Sequence, residues 1–487
     1  MVDFIRDNVV EGISQGEMPG GDEAVPRFAS GVVPIGWPEA RPPRLLVSGS
    51  GQLAGSVQAG GAKNSALKLM ASCLLAEGTH TLSGVPRITD VEIMADLLMA
   101  IGCSVYRMPG REQADPGDLV VEVPGVLNPV APYELVERMR ASVVVLGPLL
   151  ARCGRAKVSL PGGDDFGNRP IDIHLSAFEA MGTRFDVAHG YVVGVVGSSS
   201  GADAAQPLTV DGTVRAVSSG GRLRGTRIVF EYPSHTATDN VLMAAVLAEG
   251  TTIIENAARE PEVVDLARYL SSMGAKVRGA GTSRIEVEGV EELHPSSHRV
   301  IPDRVVAATF MAAVGLVGGD VVVEGARADH MEMLLRKLGD MGVFVTQSSE
   351  GLRVRSDGRP RSVDIATLPY PGVATDYKPF LVTMLSVADG VGIVSENLFS
   401  GRFRYVDELR RMGADISTEG HHAVVRGVPR LSGAQVRAPD LRAGAALVLA
   451  GMAAEDETVV SGVDHVDRGY EDLGGALRSL GATIRRA

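Results

Sequence analysis

A chain of 487 residues, 45% of them apolar, is long enough for two to four domains and a large buried core. Its formal net charge of −12, with no dense basic run, argues against a nucleic-acid partner or an anionic membrane surface, while leaving room for a local arginine cluster that binds small anions. The cysteines Cys73, Cys103 and Cys153 lack metal-ligand spacing, so neither a metal nor a cofactor is expected, and buried inert thiols in a reducing, cytoplasmic setting fit them. No apolar run approaches a membrane span, and Met1 to Gln15 lack a signal-peptide core.

Residues 1 to 43 carry Pro19-Gly20-Gly21 and then Pro26, Pro34, Pro38, Pro42 and Pro43 with little periodicity, which predicts a flexible extension outside the fold. From residue 44 one pattern recurs: a tight turn, a β-branched strand, a loop, an amphipathic helix and a small-residue turn. Its six copies run from Gly78 to Gly102, Gly154 to Gly182, Gly250 to Gly274, Gly319 to Gly342, Gly390 to Gly413 and Asp456 to Gly481. In the third, Thr251 to Ile254 reads as a strand, and Val263, Leu266, Ala267, Leu270 and Met273 fall at helical spacing, exposing Asp265 and Arg268. The closing glycines lie 80, 92, 68, 71 and 68 residues apart, three longer units before three shorter ones. So short a unit cannot bury its own apolar face, which predicts two α/β domains of three units with helices inside.

Gly60-Gly61-Ala62-Lys63-Asn64-Ser65 stands directly before an apolar helix read as Ala66 to Leu75. A lysine at a helix start opposes the helix dipole, and a bound anion resolves the conflict. Further on, Leu160-Pro161-Gly162-Gly163-Asp164-Asp165-Phe166-Gly167-Asn168-Arg169-Pro170 places two carboxylates and an arginine on a glycine-rich loop, the composition of a mobile lid with a proton carrier.

In chain order, Gly61-Ala62-Lys63-Asn64, Met139-Arg140-Ala141-Ser142, Leu160-Pro161-Gly162-Gly163, Arg169-Pro170-Ile171-Asp172-Ile173-His174, Glu249 to Pro261, Asp440-Leu441-Arg442-Ala443 and Asp467-Arg468-Gly469-Tyr470 resemble the UDP-N-acetylglucosamine 1-carboxyvinyltransferases over residues 44 to 487. The resemblance implies enolpyruvyl transfer from phosphoenolpyruvate to the sugar 3-hydroxyl, the first committed step toward peptidoglycan. It also implies two inside-out α/β-barrel domains, each of three repeated β/α units: residues 44 to 62 with 302 to 487, and 63 to 301 carrying the lid 160 to 170.

On the matching positions, the resemblance implies that Lys63, Arg169 and Arg468 face the phosphate of phosphoenolpyruvate and that Arg402 and Arg442 face its carboxylate, with Asn64 beside them. Asp376 would touch the sugar hydroxyl and accept its proton, its bland alternative being a helix N-terminal residue ahead of Tyr377 to Ser386. Asn64, Arg140, Arg169, Pro170, Ile171, Asp172, Ile173, Ser234 and Leu398 would hold the nucleotide sugar. The lid residue of the family, usually cysteine and aspartate in one branch, is matched by Asp164, with Asp165 as a second candidate.

The departures fall on the acceptor side: Ser234-His235-Thr236-Ala237-Thr238 where the family commonly has Ser-Val-Gly-Ala-Thr, Val373-Ala374-Thr375-Asp376 for Phe-Pro-Thr-Asp, and Ser400-Gly401-Arg402-Phe403 for Glu-Asn-Arg-Phe or Glu-Ala-Arg-Phe. They motivate another uridine nucleotide acceptor, such as UMP in nucleoside-antibiotic synthesis, as the runner-up. A catalytically silent nucleotide-binding protein is disfavoured because a lid acid and a base are both present. A shikimate 3-phosphate acceptor is disfavoured by Gly-Ala-Lys-Asn in place of Gly-Asp-Lys-Ser.

With Asp164 as proton carrier, the enzyme is expected to resist the epoxide fosfomycin, which alkylates the lid cysteine of family members, because a carboxylate is a far weaker nucleophile than a thiolate. Asp164→Cys should retain turnover and gain time-dependent inactivation, while Asp164→Asn should lose ~10²- to 10⁴-fold in rate. Undiminished turnover in Asp164→Asn would assign the proton to another group.

Overall fold

A computed structural model describes residues 43–110, 117–159, 171–188, 190–197, 209–210, 213–214, 221–399 and 401–487. The predicted extension, apart from Pro43, and the whole predicted lid lie outside the described residues.

The repeat rests on glycines that hold backbone conformations closed to most residues. Gly102, Gly182, Gly274, Gly342, Gly413 and Gly481 follow the helices Thr89–Ile101, Asp172–Ala180, Pro261–Ser272, Glu332–Asp340, Val406–Arg411 and Leu473–Ser479, at φ between 87° and 114°. The units open with Gly78, Gly154, Gly250, Gly319 and Gly390, also at positive φ, and the sixth places Asp456 there with φ 64°. Aspartate tolerates this region better than most side chains, which is how the last unit dispenses with glycine.

Among the described residues six four-stranded sheets share one wiring. In the first, strand Gly78–Ser83 pairs antiparallel with Leu119–Val123, Ser104–Arg107 flanks that partner, and Ser297–Arg299 returns from 215 residues downstream as a parallel edge. The fourth sheet takes its parallel edge from the opposite end of the chain: Leu53–Gln58 pairs with Gly319–Glu324, Leu53 opposite Gly319. In the sixth, Leu45–Ser48 lies between Glu457–Ser461 and Thr483–Arg486, antiparallel to both.

Beneath the sheets lie helices buried on nearly every face, as sequences without a polar stripe require. Lys63–Ser72, Leu146–Cys153 and His235–Ala245 occupy one apolar cluster, drawn from residues 62 to 301. Arg304–Val317, Lys378–Ser386 and Leu441–Met452 occupy another, drawn from residues 45 to 59 and 305 to 484. The chain is a mixed α/β fold.

Three local readings change. The first inner helix starts at Lys63 rather than Ala66 and turns 3₁₀ over Cys73–Leu75, because Ala62 supplies the first carbonyl. The helix Pro261–Ser272 does expose Arg268 but buries Asp265, which accepts from Ser65 Oγ and the Ile301 amide and pairs with His298 Nε2 at 2.8 Å. Asp376 does not cap its helix, which runs Lys378–Ser386 after Tyr377.

Gly319 tests the join between the distant strands. A Cβ there would lie 2.1 Å from the Leu53 carbonyl oxygen, whereas at Gly250 it would meet nothing within 4 Å. Gly250→Ala should therefore cost about 1–2 kcal/mol for its positive φ alone, and Gly319→Ala distinctly more. Equal shifts in urea midpoint would contradict the close approach.

Candidate active site

The inner helices start at one cleft. Lys63 and Asn64 open the first, Arg140 to Val143 belong to the 3₁₀ turn before the second, and Ser234, His235 and Thr236 open the third. From the other cluster come Arg304, Thr375 with Asp376, and Asp440 to Arg442. These starts line a cavity of 570 Å³, into which the helix dipoles present their positive ends. A smaller cavity of 300 Å³ lies at the carbonyl ends of the second set, beside Val317, Val387 and Ala453. There Arg359 Nε donates to the Val387 carbonyl at 3.1 Å.

The cations gathered at the cleft are bonded to carboxylates. Lys63 Nζ lies 2.7 Å from Asp90, and Arg468, from the other cluster, donates from Nε to the same carboxylate at 2.8 Å. Burial pushes the Lys63 ammonium down, Asp90 opposes this, and the nearby Arg442 and Arg468 add to the lowering. Two cations on one buried carboxylate, with Arg442 close enough to act on Lys63, form a place where a multiply charged anion is stabilised.

Asp376 bonds to Arg402 Nη2 at 2.8 Å and approaches Arg442 Nε at 3.7 Å. Burial alone would raise its carboxyl, but the two guanidinium groups prevail and hold it well below the usual range. Arg442 Nη1 is buried without a hydrogen-bond partner among the described residues. Arg304 clasps Glu262 across the two clusters, Nε and Nη2 donating to its two oxygens at 2.9 and 3.2 Å and Nη1 to the Tyr377 hydroxyl at 3.2 Å. Burial works to raise Glu262, and Arg304 overcomes it, bringing the carboxyl to about 2. Deeper in the cleft, Lys68 Nζ stands 3.0 Å from both His235 Nε2 and Asp239.

Of the residues singled out in the sequence, Lys63, Asn64, Arg140, Ile171, Ile173, Ser234, Asp376, Leu398, Arg402, Arg442 and Arg468 line this cleft. Asp172 is exposed on the first turn of its helix and is not among the lining residues. Asp164, Asp165, Arg169 and Pro170 lie outside the described residues. Sequence reasoning singled out His235 but missed its grouping with Lys68 and Asp239, and it missed Asp90 and the Glu262–Arg304 clasp. His235 and Asp239 at i and i+4 were a legible signal, whereas Asp90 reads as an ordinary acid in a first helical turn. Sequence reasoning also missed His174, a cleft residue that burial brings down to about 4 and whose Nδ1 pairs with Asn240 Nδ2 at 3.1 Å.

The family model for EPSP synthase (3-phosphoshikimate 1-carboxyvinyltransferase) matches residues 47–477. The UDP-N-acetylglucosamine 1-carboxyvinyltransferase of Anaeromyxobacter dehalogenans strain 2CP-C is 50% identical over 91% of this chain and 99% of its own. That of Nocardia farcinica is 46% identical over 91% and 98%. Among solved structures, the enolpyruvyl transferase NikO from Streptomyces tendae superposes with a TM-score of 0.77 at 24% identity, covering 92% of this chain and 99% of its own. An EPSP synthase from Acinetobacter baumannii superposes with a TM-score of 0.67 at 17% identity, covering 91% and 100%.

Removing Asp90 leaves Lys63 and Arg468 facing one another. Asp90→Ala is expected to lose about 3–5 kcal/mol of stability, as when one member of a buried ion pair is deleted. Inorganic phosphate should then raise its melting temperature more than that of the wild type, by taking the carboxylate's place. Equal phosphate shifts would separate the two cations from any common anion site.

Proposed function

The chain belongs to the enolpyruvyl transferase family of the EPSP synthases and UDP-N-acetylglucosamine 1-carboxyvinyltransferases, and on that premise we propose that it transfers enolpyruvate from phosphoenolpyruvate to the 3-hydroxyl of UDP-N-acetylglucosamine, releasing phosphate. The observation that carries this reading is the meeting of cations from two separate cores on one cleft, Lys63 with Arg468 and Arg402 with Arg442. The product commits the sugar to peptidoglycan, and a cytoplasmic setting suits both the nucleotide substrate and the reduced cysteines.

Lys63, Arg468 and the lid's Arg169 take the phosphate, and Arg402 and Arg442 take the carboxylate. In the structure those two arginines hold Asp376, whose depressed proton affinity makes it a poor base. A substrate carboxylate competing for Arg402 and Arg442 frees Asp376 and raises its proton affinity as the sugar hydroxyl arrives. The hydroxyl oxygen then attacks C2 of phosphoenolpyruvate, Asp376 takes its proton, and the lid acid Asp164 protonates C3. In the second step the C–O bond to phosphate breaks while Asp164 recovers a proton from C3. The nucleotide sugar lies along Asn64, Arg140, Pro170, Ile171, Ile173, Ser234 and Leu398, and Asp172, exposed outside the cleft lining, takes no part.

We place domain boundaries at 62/63 and 301/302, giving residues 44 to 62 with 302 to 487 and residues 63 to 301, each an inside-out α/β barrel of three units. Two apolar clusters that divide between Ala59 and Ala62 and between Ile301 and Val305 support this, as do three sheets around each set of inner helices. The two crossing strands bond to one another, Ala62 N to the Ile301 carbonyl at 2.7 Å and Asp303 N to the Gly60 carbonyl at 2.9 Å, which gives closure of the lid-bearing domain a defined pivot.

Phosphate release with a panel of acceptors and saturating phosphoenolpyruvate tests the reaction. Turnover with UDP-N-acetylglucosamine and little with UMP is expected; the reverse pattern would transfer the chain to the nucleoside-antibiotic reading that His235 and Thr236 motivate.

A further inference from the structure

Behind the cleft wall, and not lining it, Lys378 and Glu396 form an ion pair of 2.8 Å with both side chains wholly removed from solvent. Taking two charges out of water is expensive, and apolar residues of similar size would pack the same space at no such penalty. What distinguishes this pair is where its other bonds end. Glu396 Oε2 also accepts from the Thr375 hydroxyl at 2.7 Å. Its Oε1 accepts from the Thr367 hydroxyl at 2.7 Å and from the amides of Leu398 and Phe399 at 2.9 and 3.2 Å. Lys378 Nζ donates to the Arg402 carbonyl at 2.6 Å and sits 3.9 Å from the centre of the Phe403 ring. Thr375 Oγ1 in turn accepts from Arg402 Nη1 at 3.1 Å, and Arg402 Nη2 reaches Asp376.

Four of these endpoints, Thr375, Leu398, Phe399 and Arg402, are cleft residues, and they come from two separate stretches, 373–377 on one side and 396–399 with 401–403 on the other. Nothing in either loop's own secondary structure fixes one against the other. The pair does so, because five donors converge on one carboxylate and a single ammonium spans to the second loop's backbone. We infer that Lys378 and Glu396 are positioning residues that hold Arg402, Asp376 and Leu398 in register for substrate. The inference rests on the enolpyruvyl transfer reading and extends it to residues that never touch the ligand.

Calorimetric binding of phosphoenolpyruvate and phosphate-release kinetics, measured beside melting temperature, separate positioning from mere support. Glu396→Gln should lose stability and bind phosphoenolpyruvate about 10- to 100-fold more weakly, the range that an ångström of misplacement costs. The neutral double variant Lys378→Met/Glu396→Gln should regain most of the melting temperature without regaining affinity or turnover. Thr375→Val, which cuts only the link from Glu396 to Arg402, should fold normally and still raise KM for phosphoenolpyruvate, whereas Thr375→Ser should behave as wild type. Wild-type affinity and turnover in both the double variant and Thr375→Val would overturn the inference. A wild-type protein that neither binds phosphoenolpyruvate nor releases phosphate with any acceptor would instead overturn the reading beneath it, and the inference with it.

Discussion

A buried charge must have a partner, and this requirement organises the cleft. An enzyme for a substrate carrying phosphate and carboxylate needs several cations in a space shielded from water, where they would repel one another and unfold the site. Here each buried cation of the cleft lies beside a carboxylate supplied by the protein: Asp90 for Lys63, Asp239 for Lys68, Glu262 for Arg304 and Asp376 for Arg402 and Arg442. On the proposed function, the internal acids act as stand-ins for the ligand. Substrate binding is then an exchange of one anion for another, and it disturbs the electrostatics of the empty site far less than filling an uncompensated pocket would.

Because some of these pairs join two separate cores, the same bonds set the geometry between them. Arg468 reaches Asp90 on one side of the cleft, and Arg304 reaches Glu262 on another. Between them run the paired crossings at Gly61 and Pro302. Ligand recognition and relative placement of the cores are therefore parts of a single charge network.

The repeat was legible because it is written in local requirements: a glycine at every unit boundary except the one at Asp456, and an apolar stripe at each outer helix. Lys63 was legible for a related reason, a cation placed where a helix start disfavours one. Arg402, Arg442, Arg468 and Asp376 emerged only through resemblance, since a lone arginine or aspartate carries no local signature of its partner. Asp90 and Asp265 were not legible, because each occupies a helical position that suits a solvated acid equally well. Their partners Arg468 and Ser65 lie 378 and 200 residues away in the chain. Lys378 and Glu396 escaped for the same reason: a buried ion pair is a property of packing, and composition or spacing does not reveal it.

The placement of Leu45–Ser48 between Glu457–Ser461 and Thr483–Arg486 bears on how the molecule is made. Residues 63 to 301 contain every strand of their three sheets, so that part can complete its core while the ribosome is still synthesising the remainder. The two strands before it must wait. Leu53–Gln58 has no partner until Gly319–Glu324 emerges, and Leu45–Ser48 has none until the last sheet has been translated. Until then these strands present unpaired edges, one of the earliest strands made is among the last to be satisfied, and the nascent chain is open to capture by a chaperone over most of its synthesis.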